Sequence, residues 1–465
     1  MQLSVETRRK LEKLLLPVLA EIRPSPEEVS AANEYSNELM GRLKRLLSKN
    51  VEIILAGSVA RGTQIRGSSD IDIFLLFPKG MQERTMEAEA LRVAKKIVSR
   101  KAGESYEINY AEHPYLKLKN REGFNADIVP AFKIRDASDM GTSVDRTQLH
   151  NEFVKSHLRK GQLDEVRLLK YFLREHGIYG AEARVSGFSG YLCELLIYHY
   201  GSFISLLEHV SDAKLPIAID IASNKALAEP AEVAEMLKRF GSQLIVIDPT
   251  DKDRNVAANV SADSLARLIM ASRVLLSHPS KLAFYGPKYS DTNPRKWLSQ
   301  LIAKYGFDVH TLAFRLPHIS EDTLWPQLKH LAGSVRRELE ACGFEPLLVL
   351  QHIEGTEAII SVFTNRIVAN AAVVMGPPVT MAEGTRRFYS KHKGGSNISI
   401  DGGRIFSIEQ AEFSTPEEAL RHMLSDRNFK FPSYIKKSKT VLHGASMSSK
   451  HARMLMAAYE QTMNI

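Results

Sequence analysis

At 465 residues the chain is longer than one hydrophobic core usually serves, so roughly two to four domains are expected. Its 44% apolar, 8% aromatic and 25% charged residues are those of an ordinary folded protein and exclude global disorder. The 62 Lys+Arg against 54 Asp+Glu give a formal charge of +8, which favours an anionic partner such as nucleic acid without specifying one. Only Cys193 and Cys342 occur, which excludes a disulfide framework or a cysteine zinc cluster and fits a reducing cytoplasm. No run of about 18 apolar residues is present, so no membrane span is expected, and the N-terminal stretch alternates charged with apolar residues, unlike a signal peptide.

Residues 5–22 and 26–48 have helical periodicity, the second opening at Ser25-Pro26-Glu27-Glu28 with a good N-cap and a proline in the first turn. Two strands follow, 51–56 (VEIILA) and 71–77 (IDIFLLF), joined by a polar, glycine-rich turn. A helix is predicted over 84–99 and short strands over 106–111, 115–119 and 126–132, so the first 150 residues read as an α/β unit with a mixed sheet. Residues 151–280 turn mainly helical (VRLLKYFLREHGIY, GYLCELLIYHYGSFISLLEHV, ADSLARLIMASRVLLSH) and form an expected second domain. Beyond the Gly/Pro/Ser-rich stretch 278–294, HTLAFRLP and PLLVLQHI read as strands flanking the helix DTLWPQLKHLAGSVRRELEACG, an α/β body over 281–375. The stretch FSIEQAEFSTPEEALRHM reads as strand-like, and a tail over 376–465 carries Arg386-Arg387, Lys391 with Lys393, and Lys436-Lys437 with Lys439. These are interleaved with Phe388, Tyr389, Phe429, Phe431 and Tyr434. The class is therefore multidomain α+β, with neither internal repeats nor low-complexity tracts.

Chemistry concentrates where the second strand begins. Asp70 and Asp72 flank Ile71, and because strand side chains alternate, both carboxylates share a face while Ile71 and Ile73 point to the core. Two acids so placed repel unless a cation lies between them, and oxygen ligands at this spacing suit Mg²⁺. Upstream, Gly57-Ser58 follows a strand and precedes Arg61-Gly62-Thr63, a small-residue segment whose backbone N–H groups, with Ser58 and Arg61, can meet a triphosphate. A third ligand is expected at Asp127, an acid bracketed by apolar strand residues that would otherwise be an unpaired buried charge. The G-x-x-x-x-G-K-[ST] pattern of Walker-type ATPases is absent.

The run G-S-x-x-R-G-T…G-S-S-D-I-D-I-F-L-L-F resembles the DNA polymerase β-like nucleotidyltransferase superfamily. The segments YEINYAEHPY, SVDRT, RLLKYFLREHGIYGAE, GFSGYLCELLIYHYGSF, DPTDKDRNVAANVS and DTLWPQL resemble the archaeal-type, class I CCA-adding enzymes. That resemblance implies a nucleotidyltransferase head, a helical second domain, and untemplated rebuilding of the tRNA 3′ CCA end from CTP and ATP with Mg²⁺. It places the nucleotide against Gly57, Ser58, Arg61, Thr147, His150, Lys170 and Tyr179, the metals on Asp70, Asp72 and Asp127, and base recognition on Arg254. The sequence departs from the family pattern at Val59 and Gln64, where aromatic residues are common.

On this reading the partners are CTP, ATP and the acceptor stem and 3′ end of tRNA, with no membrane and with homodimerisation left open. An A-form stem is read through backbone and shape, a task that scattered cations of the tail can perform. The competing readings are a poly(A) polymerase or oligoadenylate synthetase-like enzyme, and a non-catalytic RNA-binding protein of the same fold. Against the last stands the retention of three clustered acids.

Overall fold

The computed structural model describes residues 3–68, 70–99, 103–110, 112–227, 229–286, 292–366, 371–392, 397–435 and 440–463. Of the residues singled out above, Ser69, Ala111, Lys393, Lys436, Lys437 and Lys439 lie outside this set. The chain divides into two compact units, Met1–Gly286 and Pro287–Asn464.

The first unit begins with helices α1 (Val5–Ile22) and α2 (Pro26–Lys44). At the start of α2, Ser25 and Glu28 form a capping box ahead of Pro26, as the Ser-Pro-Glu-Glu signal predicts. Strand β1 (Glu52–Ala56), the short helix α3 (Gly57–Arg61), β2 (Asp70–Phe77), α4 (Glu83–Ile97), β3 (Ser105–Tyr110), β4 (Pro114–Lys119) and β5 (Asn125–Phe132) complete the head. The sheet order is β1-β2-β5-β4-β3, with β2 and β5 parallel and the other pairs antiparallel, so the expected mixed sheet is present. The period-two pattern of β2 decides its orientation. Ile71, Ile73, Leu75 and Phe77 are buried with Leu39 and Leu43 of α2 and Met86, Ala90 and Val93 of α4. On the other face Phe74 and Leu76 join a small cluster with Ala56 and Ala131, which leaves Asp70 and Asp72 at the mouth of that face. Each such buried aliphatic side chain contributes about 1.5–3 kcal/mol, enough to fix the register that presents the acids.

Helices α5 (Thr147–His157), α6 (Gln162–Glu175), α7 (Gly190–Tyr200) and α8 (Phe203–Ser211) open the helical region. Then come β6 (Ile217–Asp220), β7 (Lys225–Ala226), α9 (Pro230–Phe240), β8 (Leu244–Asp248), β9 (Asp251–Asn255), α10 (Ala262–Ser277) and α11 (Lys281–Tyr285). Two features add to the sequence expectation. A four-stranded sheet, β7-β6-β8-β9, is inserted among the helices. Helix α1, sequentially part of the head, buries Leu11, Leu15, Val18 and Ile22 in the helical core beside α6, α7 and α10. Amphipathic periodicity says that a helix has a buried stripe, not which core receives it.

The second unit contains α12 (Pro294–Tyr305), β10 (Phe307–Arg315), α13 (Glu321–Ala341), β11 (Pro346–Glu354), β12 (Glu357–Asn365), β13 (Ala371–Pro378), α14 (Ala382–His392), β14 (Ile398–Asp401), β15 (Arg404–Gln410), α15 (Pro416–Ser425), β16 (Thr440–His443) and α16 (Ser449–Met463). Its main sheet, β11-β12-β10-β16, is antiparallel and draws strands from both sides of residue 376. Phe307, Val309, Ile359 and Phe363 pack against Trp297 and Leu298 of α12 and Ala452 and Leu455 of α16. The alternate residues Leu312, Phe314, Ile360 and Val362 are buried as well, so the sheet is covered on both faces. A second sheet, β13-β15-β14, lies beside α14.

The strand-like reading of FSIEQAEFSTPEEALRHM holds only for its first part, which is β15. From Pro416 the chain is helical, because Thr415 and Glu418 form a capping box around Pro416 and start α15. This is the same signal that starts α2.

Candidate active site

The strands bring the acids together by register. Asp72 on β2 is the direct parallel partner of Asp127 on β5, and Asp70 pairs with Asn125, whose side-chain amide donates to Asp70 Oδ1 at 3.1 Å. Gly57, at φ +68°, closes the site from above. A Cβ at this position would lie 1.7 Å from Asp72 Oδ2, so only glycine admits the carboxylate.

Electrostatically the group is under-compensated. Burial, then the Asp127 charge, push Asp72 up to about 6 against the pull of Arg61. Burial likewise raises Asp127, with Lys117 opposing from 3.9 Å. Asp127 Oδ1 is buried and accepts no hydrogen bond. A buried acceptor without a donor, on a face shared with two further carboxylates, is what a hard cation with oxygen ligands would satisfy, so the residues fit a divalent metal. Among the described residues the group of three His, Cys or acidic side chains whose ligand atoms already lie within 4.8 Å of one another is Glu83, Glu87 and His113, an ion-paired cluster involving α4.

A second group forms where the head meets the helical region. Arg61, closing α3, directs Nε to Glu194 at 3.0 and 3.1 Å. Lys170, 2% exposed, donates to Thr63 O at 3.2 Å and Thr63 Oγ1 at 3.1 Å and lies 3.7 Å from Glu194. Arg167 donates to the carbonyls of Gly62 and Gln64, so three side chains of the helical region fix the loop after α3. Tyr179 stands beside Lys170, both being within 3.6 Å of where a Gly190 Cβ would sit.

A third group surrounds Asp248, whose side chain is fully buried. It receives Arg254 Nη1 at 2.7 Å, Thr250 N at 2.9 Å and Tyr191 Oη at 3.4 Å, and it lies 2.9 Å from His150 Nε2. Burial pushes Asp248 up, but the hydrogen bond and charge of His150 and the two hydrogen bonds from Thr250 outweigh it and hold the acid below the ordinary carboxylate range. His150 stacks on Tyr191 with ring centroids 3.8 Å apart, and its burial lowers it although Asp248 opposes.

The predicted residues thus fall into three adjoining groups. Gly57 lies with Asp70, Asp72 and Asp127; Arg61 lies with Lys170 and Tyr179; His150 lies with Arg254. Ser58 lies in α3 between the first two groups, its carbonyl accepting Thr63 N at 3.0 Å, and Thr147 opens the helix that carries His150. Sequence reasoning missed Glu194, Asp248 and Tyr191. The signal for Glu194 was legible, since it is the one acid in the apolar helix GYLCELLIYHY. That for Asp248 was the acid ending the apolar strand LIVID.

A mixed sheet presenting paired aspartates beside a glycine-serine turn defines a nucleotidyltransferase, and a family model described as a nucleotidyltransferase domain matches residues 36–154. The model for the second domain of tRNA nucleotidyltransferase matches residues 164–285, and that for the C-terminal domain of CCA-adding enzyme matches residues 306–442. The CCA-adding enzyme of Archaeoglobus fulgidus is 35% identical over 90% of this chain and 90% of its own length. That of Methanocaldococcus jannaschii is 32% identical over 91% of this chain and 94% of its own. The chain belongs to the CCA-adding enzyme family of tRNA nucleotidyltransferases. A solved cytoplasmic RNA terminal U-transferase superposes at TM-score 0.45 and 17% identity, covering 60% of this chain and 97% of that one. Among the described residues no helix is long and apolar enough to cross a membrane.

Proposed function

We propose that this chain adds and repairs the 3′-terminal CCA of tRNA from CTP and ATP without a nucleic-acid template, in the cytoplasm. The observation that carries the reading is the direct pairing of Asp72 with Asp127 against Gly57, in a chain whose relatives over nine-tenths of its length are CCA-adding enzymes. Asp70, Asp72 and Asp127 would hold Mg²⁺, which when bound lowers the pKa of the attacking hydroxyl and neutralises the departing pyrophosphate. The tRNA 3′ oxygen attacks the α-phosphorus and the bond to pyrophosphate breaks, so the protein's own task is positioning.

Gly57 leaves room for the Asp72 carboxylate beside the triphosphate, and Ser58, Arg61 and Lys170 bind its oxygens. Thr147, His150 and Tyr179 place the sugar and phosphates. Arg254, aimed by Asp248, reads the base edge together with the RNA. Residues 1–150 supply the chemistry, 151–280 the nucleotide and RNA neck, 281–375 the body, and 376–465 a tail that meets the RNA backbone. In that tail Arg386, Arg387, Tyr389 and Lys391 are exposed on α14.

The test is incorporation of labelled CTP or ATP into tRNA lacking its last three nucleotides, with Mg²⁺. Stepwise addition of two C and one A is expected. A long A tail would move the assignment to a poly(A) polymerase, and no incorporation would end it.

A further inference from the structure

We infer that Glu194 is the positioning residue of the triphosphate site, holding Arg61 and Lys170 in place across the junction between α3, α6 and α7. The inference rests on the proposed role of Arg61 as a phosphate ligand. Helix α7 begins inside the helical core, where Leu192, Cys193, Leu195, Leu196 and Ile197 are all buried, and Glu194 is buried among them with a side chain that is 0% exposed. A carboxylate removed from water this completely is costly unless it is paired and hydrogen-bonded, and core packing would be served at least as well by a leucine. Its partners come from both sides. Arg61 Nε approaches both carboxylate oxygens, at 3.0 and 3.1 Å, Thr63 Oγ1 donates at 2.5 Å, and Lys170 Nζ stands 3.7 Å away.

The way Arg61 is held matters more than that it is held. Glu194 engages it through Nε, and among the described residues no hydrogen bond takes its terminal nitrogens Nη1 and Nη2. An arginine gripped at Nε keeps free the two nitrogens that donate to phosphate oxygens, and its planar group can no longer turn. One carboxylate between two cations also leaves a net positive charge for the incoming triphosphate. Lys170, 2% exposed and bonded to both oxygens of Thr63, ties the same loop to α6.

The experiment compares E194D, E194Q, R61A and the double variant R61A/E194D in the full-length enzyme, each verified as folded by its melting curve. KM and kcat are measured for CTP and ATP separately. E194Q removes the charge at constant shape. E194D keeps a negative charge near Lys170 but withdraws it by one methylene, and so remains informative should E194Q fail to fold. Positioning through Arg61 predicts that E194D and E194Q raise KM for both nucleotides about tenfold, the scale of one lost hydrogen bond to a charged group. It also predicts that E194D costs less in the R61A background than in the wild type, because only the path through Lys170 is then left. Unchanged KM in the folded Glu194 variants while R61A raises it, or additive losses in the double variant, would overturn the inference alone. Unchanged KM in R61A would overturn the role of Arg61 and the inference with it.

Discussion

Gly57→Ala isolates the closest approach in the site. An ideal Cβ would stand 1.7 Å from Asp72 Oδ2, 2.7 Å from its Cγ and 3.1 Å from its Cβ, whereas ordinary contact begins at 3.4 Å. The carboxylate must therefore retreat by more than an ångström, and because the Asp72 Cβ is fixed on β2, rotation about χ1 is the cheapest way. Misplacing a reacting group by about 1 Å costs on the order of a hundredfold in rate, or about 2.7 kcal/mol of barrier. Separately, φ +68° would become strained for alanine, at a cost of about 1–2 kcal/mol in stability. At about 2–4 °C of melting temperature per kcal/mol, the variant should still be folded at assay temperature. Differential scanning calorimetry and CTP incorporation on the same sample separate the two effects. The expected result is a melting point a few degrees lower, unchanged tRNA affinity and at least a hundredfold lower kcat. A folded variant within threefold of wild-type kcat would show that the Asp72 carboxylate need not lie where Gly57 admits it.

Asp127→Asn should abolish incorporation while tRNA binding persists. In metal-free buffer the variant should melt no lower than the wild type, because it removes a charge that burial and Asp70 already disfavour; a marked loss of stability would refute this. His150 predicts a pH effect of definite sign. Its folded pKa lies below the ordinary 6.5, so the unfolded chain binds more protons beneath that pH, and the stabilising contribution, present above 6.5, is lost as the pH falls. Urea denaturation at pH 7.5 and 5.5 should show a smaller loss for His150→Gln than for the wild type, and equal losses would contradict the reading. In the tail, tRNA affinity should fall steeply with salt, and Arg386→Glu or Lys391→Glu should reduce the slope of log affinity against log salt by about one per lost phosphate contact. A slope unchanged by both substitutions would remove α14 from the interface.

The sequence by itself determined the head and its acids. The alternation in Asp70-Ile71-Asp72-Ile73 is a property of any strand with one buried face, so the shared orientation of the carboxylates and the burial of both isoleucines were readable locally. The Ser-Pro-Glu-Glu start of α2 is equally local, and the same logic at Thr415-Pro416-Glu417-Glu418 makes the start of α15 a local signal too. The resemblance names Lys170, Tyr179 and Arg254, but not the residues that they meet in the fold.

Only the tertiary structure decided those. That Asp72 faces Asp127 depends on β2 and β5 pairing in parallel across 55 residues of separation, and strand order is invisible to periodicity. That Arg61 meets Glu194, 133 residues away, and that Asp248 collects His150 from 98 residues upstream, depend on how helices and strands pack. A buried carboxylate announces itself in a sequence as an acid in an apolar run. Which cations satisfy it is settled only when the chain closes around it.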